Sequence, residues 1–199
     1  MANLRQRRSI RLRGYDYSQA GAYFVTLCTC QQHCLFGTVS AGAAQLNEFG
    51  RIASAEWSKL AEIRQEIELD SFVIMPNHLH GIVWIINPDE QTTQVGAHGR
   101  APLQRNKLWR PPKSLGSFIA GYKSAATQQI NRLRHSPGAP VWQRNYYEHI
   151  IRTERALTAI RQYIVQNPVR WELDRYNPAA TGPDSQAKEL WNLLQQEIE

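Results

Sequence analysis

Met75-Pro76-Asn77-His78-Leu79-His80-Gly81 sets two histidines two residues apart inside an apolar run from Phe72 to Ile86. If that run is a strand, successive side chains alternate between its faces. His78 and His80 then project together from one side while Leu79 is buried on the other. Two imidazoles so placed can clamp a metal ion, or they can be ordinary core or surface histidines with hydrogen-bond partners. With six histidines in 199 residues a His-x-His pair arises easily by chance, so its meaning depends on what stands near it.

Upstream, Tyr23-Phe24-Val25-Thr26-Leu27-Cys28-Thr29 is dense in β-branched and aromatic residues and reads as a strand. Leu35 to Leu46 holds Gly37 and Gly42 and fits one or two short strands around a turn. Asn47 caps a helix running to about Glu66, with Ile52, Ala55, Leu60 and Ile63 as its apolar stripe. Two strands at about 67–75 and 78–86 follow. Ser114 caps a second helix to about Leu133, which Pro137-Gly138-Ala139-Pro140 ends. Val141 to Ile151 is a short extended piece, and Thr153 opens a third helix that Pro168 stops. Residues 184–199 can form a short amphipathic helix through Leu190, Trp191, Leu194 and Ile198.

Adjacent strands mixed with helices point to an α+β fold. A ferredoxin-like antiparallel sheet with helices on one face, plus a tyrosine-bearing C-terminal helix, fits best. The expected organisation is one domain over 21–175, a basic arm over 1–20 and an acidic tail over 176–199. The polar, Pro- and Gly-containing stretch 87–112 is expected to be a mobile loop.

No apolar run reaches the roughly 18 residues of a membrane span, and the arginine-rich start lacks the apolar segment of a secretory signal. A soluble, cytoplasmic protein is expected. Cys28, Cys30 and Cys34 are odd in number, which favours reduced thiols over a disulfide framework. Zinc with His33 as fourth ligand fits less well, because Cys28 and Cys30 fall in an alternating strand pattern. The net charge of +6 is unevenly placed: residues 100–175 hold fourteen Lys or Arg against four Asp or Glu. Such a block is the footprint of a polyanion partner or simply a solvated surface.

Within that block, Tyr163 and Asn167 stand one helical turn apart in Gln162-Tyr163-Ile164-Val165-Gln166-Asn167-Pro168 and project from one helical face. An amide oxygen from Asn167 beside two imidazole nitrogens suits Mg²⁺ or Mn²⁺, although Asn-Pro is also a common helix-ending dipeptide. Tyr163 can be a core residue with its hydroxyl at the rim. To act as a nucleophile it needs a metal or basic group at hand.

Three ordered motifs carry a resemblance. Met75 to Gly81, then Val141-Trp142-Gln143-Arg144-Asn145-Tyr146-Tyr147-Glu148-His149-Ile150-Ile151-Arg152, then Tyr163 to Pro168, resemble the single-tyrosine HUH transposases, in the branch related to REP-associated tyrosine transposases. The likeness runs from roughly residue 15 to 175. It implies a DNA strand transferase that cleaves and rejoins single-stranded DNA beside hairpins, as a monomer or homodimer. By motif position His78 and His80 take the metal-ligand role and Tyr163 the nucleophile role. Asn167 falls where insertion-sequence relatives tend to carry a glutamine ligand. Arg144, Arg152, Arg155, Arg161 and Lys123 are candidates for phosphate contacts. Trp142, Tyr146 and Tyr147 are candidates for base stacking, with core packing as the competing role. Two other readings remain: a domesticated hairpin DNA or RNA binding protein without catalysis, and a phosphodiesterase that uses metal and water without a covalent step.

Overall fold

The computed structural model describes residues 15–86 and 113–196. Most of the basic arm and the 87–112 stretch lie outside them. Strand β1 (Gly21–Cys28) is followed by a hairpin of β2 (Gly37–Ser40) and β3 (Ala43–Leu46), then helix α1 (Glu48–Ile63). Strands β4 (Ile67–Ile74) and β5 (His78–Ile85) lead to α2 (Leu115–Leu133), β6 (Tyr147–Ile151), α3 (Glu154–Gln166) and α4 (Ser185–Gln196). The expected caps are in place, with the Asn47, Ser114 and Thr153 side chains accepting from the backbone N–H three residues on. Helix α1 ends at Ile63, three residues short of the sequence expectation. Only the last five residues of the expected extended piece join the main sheet, apart from one bridge between Trp142 and Thr29.

The main sheet has the order β4-β5-β1-β6 with every neighbour antiparallel. This is the interleaved arrangement of two split β-α-β units, the ferredoxin-like α+β plan. Helices α1 and α2 cover one face. There Tyr23, Val25, Leu27, Leu79 and Val83 from the sheet meet Trp57, Phe118, Tyr122 and Ile130. The tyrosine helix α3 and α4 cover the other face, through Phe24, Ile82, Ile160, Tyr163, Leu190 and Leu194.

Register decides what each face receives. Thr26 pairs with His80, Leu27 with Leu79 and Cys28 with His78, so both histidines face the α3 layer while Leu79 enters the other core. Gly81 is required on that opposite side. A Cβ there would lie 2.9 Å from Trp57 Cζ2 and 3.3 Å from Phe72 Cβ, and a fully buried indole in a close-packed core has no room to yield.

Helix α3 docks through a 3–4 spaced stripe, Ala156, Leu157, Ile160, Tyr163 and Ile164. A bulge between Leu69 and Phe72 in β4 adds a polar clasp by presenting Asp70. Arg161 Nε and Nη2 donate to the two Asp70 carboxylate oxygens at 3.0 and 2.6 Å, and Trp84 Nε1 donates to Oδ2 at 3.1 Å. Burial of Leu157 or Ile160 is worth about 1.5–3 kcal/mol each. A half-exposed ion pair contributes on the order of 1 kcal/mol or less, so apolar contact dominates the docking and the clasp sets its register. Arg161 holds the Asp70 carboxyl below its ordinary value of 3.8. Above that value the clasp contributes fully, and its contribution is lost as pH falls through the depressed folded-state value. Asp70→Asn is therefore expected to lower stability at pH 7 by about 1 kcal/mol and to flatten the acid limb of the stability curve. Urea melts at pH 7 and pH 3 check this, and a variant as stable and as acid-sensitive as the parent contradicts it.

Candidate active site

His78, His80, Tyr163 and Asn167 come together between β5 and α3, and all four are buried. The Tyr163 hydroxyl lies 3.3 Å from His80 Nε2, and the two imidazole centroids are 4.5 Å apart. Asn167 continues the buried stripe of α3 one turn beyond Tyr163, at the helix C-cap.

Hydrogen bonds fix how the His78 ring presents its nitrogens. Asn77 Nδ2 donates to the Gln32 and Tyr176 carbonyls at 3.0 and 2.6 Å, so the amide oxygen is turned toward His78. That oxygen can only accept, so His78 Nδ1, 2.9 Å away, carries the proton. His78 Nε2 is therefore a bare lone pair. It is buried without a hydrogen-bond partner and lies 3.7 Å from Asp174 Oδ2. Thr26 Oγ1 stands 2.8 Å from His80 Nδ1. In the tautomer matching His78, it accepts from Nδ1–H and leaves the His80 Nε2 lone pair facing Tyr163.

Asn167 Nδ2 donates to Asp174 Oδ2 at 3.0 Å, while Asn167 Oδ1 is buried with no partner. The Tyr176 backbone N–H donates to Asp174 Oδ1 at 2.7 Å. Two acceptor atoms, His78 Nε2 and Asn167 Oδ1, are thus left unsatisfied beside a carboxylate. That is a costly arrangement unless a cation completes it. Among the described residues, ligand atoms of His78, His80 and Asp174 lie within 4.8 Å of one another, so this group can bind a metal. Its mixed nitrogen and oxygen donors are compatible with a divalent ion of the Mg²⁺ or Mn²⁺ kind.

Electrostatics favour the same state. Burial pushes His78 down to about 4, only partly offset by the Asp174 carboxylate. Burial, reinforced by the neighbouring imidazole, pushes His80 well below the ordinary histidine value. Both rings are neutral near pH 7, the form that ligates metals. Tyr163 is pushed up by burial and by the Asp174 charge, against a smaller opposing effect of Arg175. By itself the site therefore holds a protonated tyrosine.

A cover lies over these groups. The Tyr176 ring sits 4.7 Å from His78 and 5.9 Å from His80, and the Trp171 ring 6.1 Å from His78. Arg175 lies over the rings of Tyr176 and Trp191. Tyr163 keeps 7% of its surface exposed, at a cleft of about 430 Å³ between α3 and α4 that Arg155 and Arg170 also line.

The other sequence candidates scatter. Arg155 is exposed on α3 at that cleft, and Arg152 is exposed just after β6. Arg161 is engaged by Asp70. Lys123 donates to the Gln143 and Asn145 carbonyls and lies over the Tyr146 ring. Arg144 is exposed on the loop before β6. Trp142 packs on Phe36 and Tyr122 in the α1/α2 core, and Tyr147 packs on Phe24 and Trp191 under α4.

Sequence reasoning missed Asp174, Asn77 and Thr26. Thr26 could have been found from the strand register, as the residue paired with His80. Asn77 stands in the motif, in the gap between the two expected strands, where the sequence pattern gives it no role of its own. Asp174 follows a 3-10 turn over Trp171–Leu173 that no helical or strand period extends to. Loss of an outer hydrogen bond to a metal-ligating histidine typically costs 10–100-fold in metal affinity. Asn77→Ala is expected to weaken Mn²⁺ binding by about that factor, read from a Mn²⁺ binding isotherm on protein whose folding is verified by circular dichroism. Unchanged affinity in the folded variant contradicts the role given to Asn77.

Comparison with known proteins gives two informative likenesses. An uncharacterised protein of Haemophilus influenzae is 39% identical over 178 residues, spanning 87% of this chain and 94% of the relative. The solved structure of a REP-associated tyrosine transposase bound to a REP hairpin superposes with a TM-score of 0.54 at 18% identity, covering 82% of this chain and 74% of that one. No family model matches the chain.

Proposed function

We propose a function from this premise: the chain belongs to one family with the Haemophilus influenzae protein and has the fold of a REP-associated tyrosine transposase. The protein is a metal-dependent DNA strand transferase, a tyrosine endonuclease that cleaves and rejoins single-stranded DNA near hairpins. The observation that carries this reading is Tyr163 Oη, 3.3 Å from His80 Nε2 in a buried histidine pair whose other inward lone pair, on His78 Nε2, lies 3.7 Å from the Asp174 carboxylate. The nuclease domain is taken as residues 21–175.

His78 and His80 would hold the ion, with Asp174 and Asn167 as the oxygen donors. A bound divalent cation supplies Lewis-acid polarisation of the scissile phosphate. The chain's own residues do the rest. Thr26 and Asn77 keep both rings oriented with Nε2 inward. The His80 Nε2 lone pair cannot accept the Tyr163 proton and hold an ion at once, so His80 acting as a ligand would free the tyrosine hydroxyl from this hydrogen bond. Tyr163 Oη then attacks phosphorus in line. Its O–P bond forms as the P–O3′ bond breaks, the phenol proton is lost to solvent, and the departing oxygen takes up a proton as a free 3′-hydroxyl. The resulting 5′-phosphotyrosine keeps a phosphate diester, so another 3′-hydroxyl can reverse the step and join strands without an external energy source. A phosphate reaches Tyr163 in line only if the side chains around it move, because the nucleophile is 93% buried and packed on Phe24, His80 and Trp191.

That same burial favours a second reading, a hairpin DNA or RNA binding protein without catalysis. One assay separates the two. Labelled single-stranded DNA from the flanks of the gene, incubated with Mn²⁺, is expected to leave label on the protein under denaturing conditions. Tyr163→Phe and chelation should each reduce that adduct to background. Tight hairpin binding with no adduct would instead establish binding alone, and cleavage that survives Tyr163→Phe would show that water is the nucleophile.

A further inference from the structure

Away from the tyrosine site, α2 and the loop that follows it enclose an open cleft of about 1060 Å³. One bank is a face of α2, where Ser124, Thr127, Gln128 and Asn131 recur at helical spacing. The other bank is the loop from Pro137 to Arg144. Arg132, His135, Lys123 and Arg144 line the cleft, and among the described residues no acidic one does.

These cations are not equivalent. Lys123 donates to the Gln143 and Asn145 carbonyls. Arg134, just outside the cleft, donates to Asn131 Oδ1 and to the Ala139 and Pro140 carbonyls. Two cations therefore clasp the loop to α2 at both ends and fix the cleft's shape. Arg132 and Arg144 are exposed and make no side-chain hydrogen bond or ion pair to the described residues. They are held on a fixed frame with their charges directed to solvent.

We propose that this cleft binds the sugar-phosphate backbone of a nucleic-acid hairpin stem, an inference that rests on the DNA-processing reading above. Lys123 to Arg132 spans nine residues, roughly 13.5 Å of helix, along which a strand with one phosphate per 3.4 Å or so presents on the order of four phosphates. Backbone rather than base recognition follows from the aromatic inventory. Trp142, the aromatic side chain lining the cleft, is 8% exposed and packed on Phe36 and Tyr122, so it offers no platform for a stacked base. Asn131, which could read a base edge, already bonds Ala139 and Arg134. The cleft is tied to the tyrosine site across the sheet. Gln143 N–H donates to the Cys28 carbonyl, Trp142 bridges Thr29, and both Thr29 N–H and Oγ1 donate to the Asn77 carbonyl. A stem held on the α2 face thus lies at the sheet end from which a flanking single strand turns toward Tyr163.

The test is hairpin binding by the full chain, followed by fluorescence anisotropy over a salt series, for wild type, Arg132→Glu, Arg144→Glu and the charge-matched control Lys59→Glu, at an exposed position of α1 outside the cleft. Each cleft reversal is expected to weaken binding on the order of tenfold, equally for native and scrambled stem sequences, and to reduce the slope of log affinity against log salt by about one. Lys59→Glu should change affinity less than twofold. Equal losses in all three variants would show an effect of net charge alone and overturn the proposal, as would cleft variants that bind like wild type. Wild type that forms the Tyr163 adduct while both cleft variants bind hairpin normally overturns the cleft and leaves the catalytic reading intact. Wild type that neither binds DNA nor forms an adduct overturns both.

Discussion

A neutral imidazole with its lone pair facing a carboxylate oxygen across 3.7 Å, in a place water does not reach, is the constraint on which the rest of this site depends. Neither atom can donate to the other unless the ring is protonated, and burial holds the ring neutral near pH 7. Folding concentrates two further demands at the same point. The amide oxygen of Asn167 lacks a donor, and the Tyr163 hydroxyl leans on the second imidazole. A protein that needed only a stable core would fill this volume with apolar side chains, since unsatisfied buried polar groups cost stability. Holding them in place requires the surrounding structure to over-determine them.

That over-determination runs through few residues. Asn77 bonds the ring of His78, the carbonyls of Gln32 and Tyr176, and through its own carbonyl the N–H and hydroxyl of Thr29. It therefore joins β5, the segment after β1 and the cover over the site. Thr29 in turn carries the bridge to Trp142 and thus to the loop beside α2. The two faces of the sheet have separate cores, but this end of the sheet is one hydrogen-bonded unit. Described residues include no helix long and apolar enough to cross a membrane.

Much of this was readable in advance because it depends on local periodicities. The period of two placed His78 and His80 on one face and Leu79 on the other. The 3–4 period placed Tyr163 with Asn167, and cap chemistry located the starts of three helices. The α+β class and ferredoxin-like order followed from counting elements. What was not readable depends on tertiary register. Asp174 reaches His78 only because a short 3-10 turn folds the chain back after α3. The presentation of Asp70 to Arg161 needed a bulge that no pattern announces. Trp142 and Tyr147 looked suited to bases because composition cannot distinguish an aromatic that packs from one that stacks on a ligand. Ring contacts bury Trp142 in the α1/α2 core and pack the half-buried Tyr147 on Phe24 and Trp191.

The central claim is that His78, His80 and the oxygen donors beside them form a divalent metal site adjacent to Tyr163. Crystals equilibrated with Mn²⁺ and measured for anomalous scattering test it most directly. The account predicts an anomalous peak within coordination distance of both Nε2 atoms and of Asp174 or Asn167, with the Tyr163 hydroxyl released from His80. A site that stays free of anomalous signal at saturating Mn²⁺, with the tyrosine still hydrogen-bonded to His80, would contradict it.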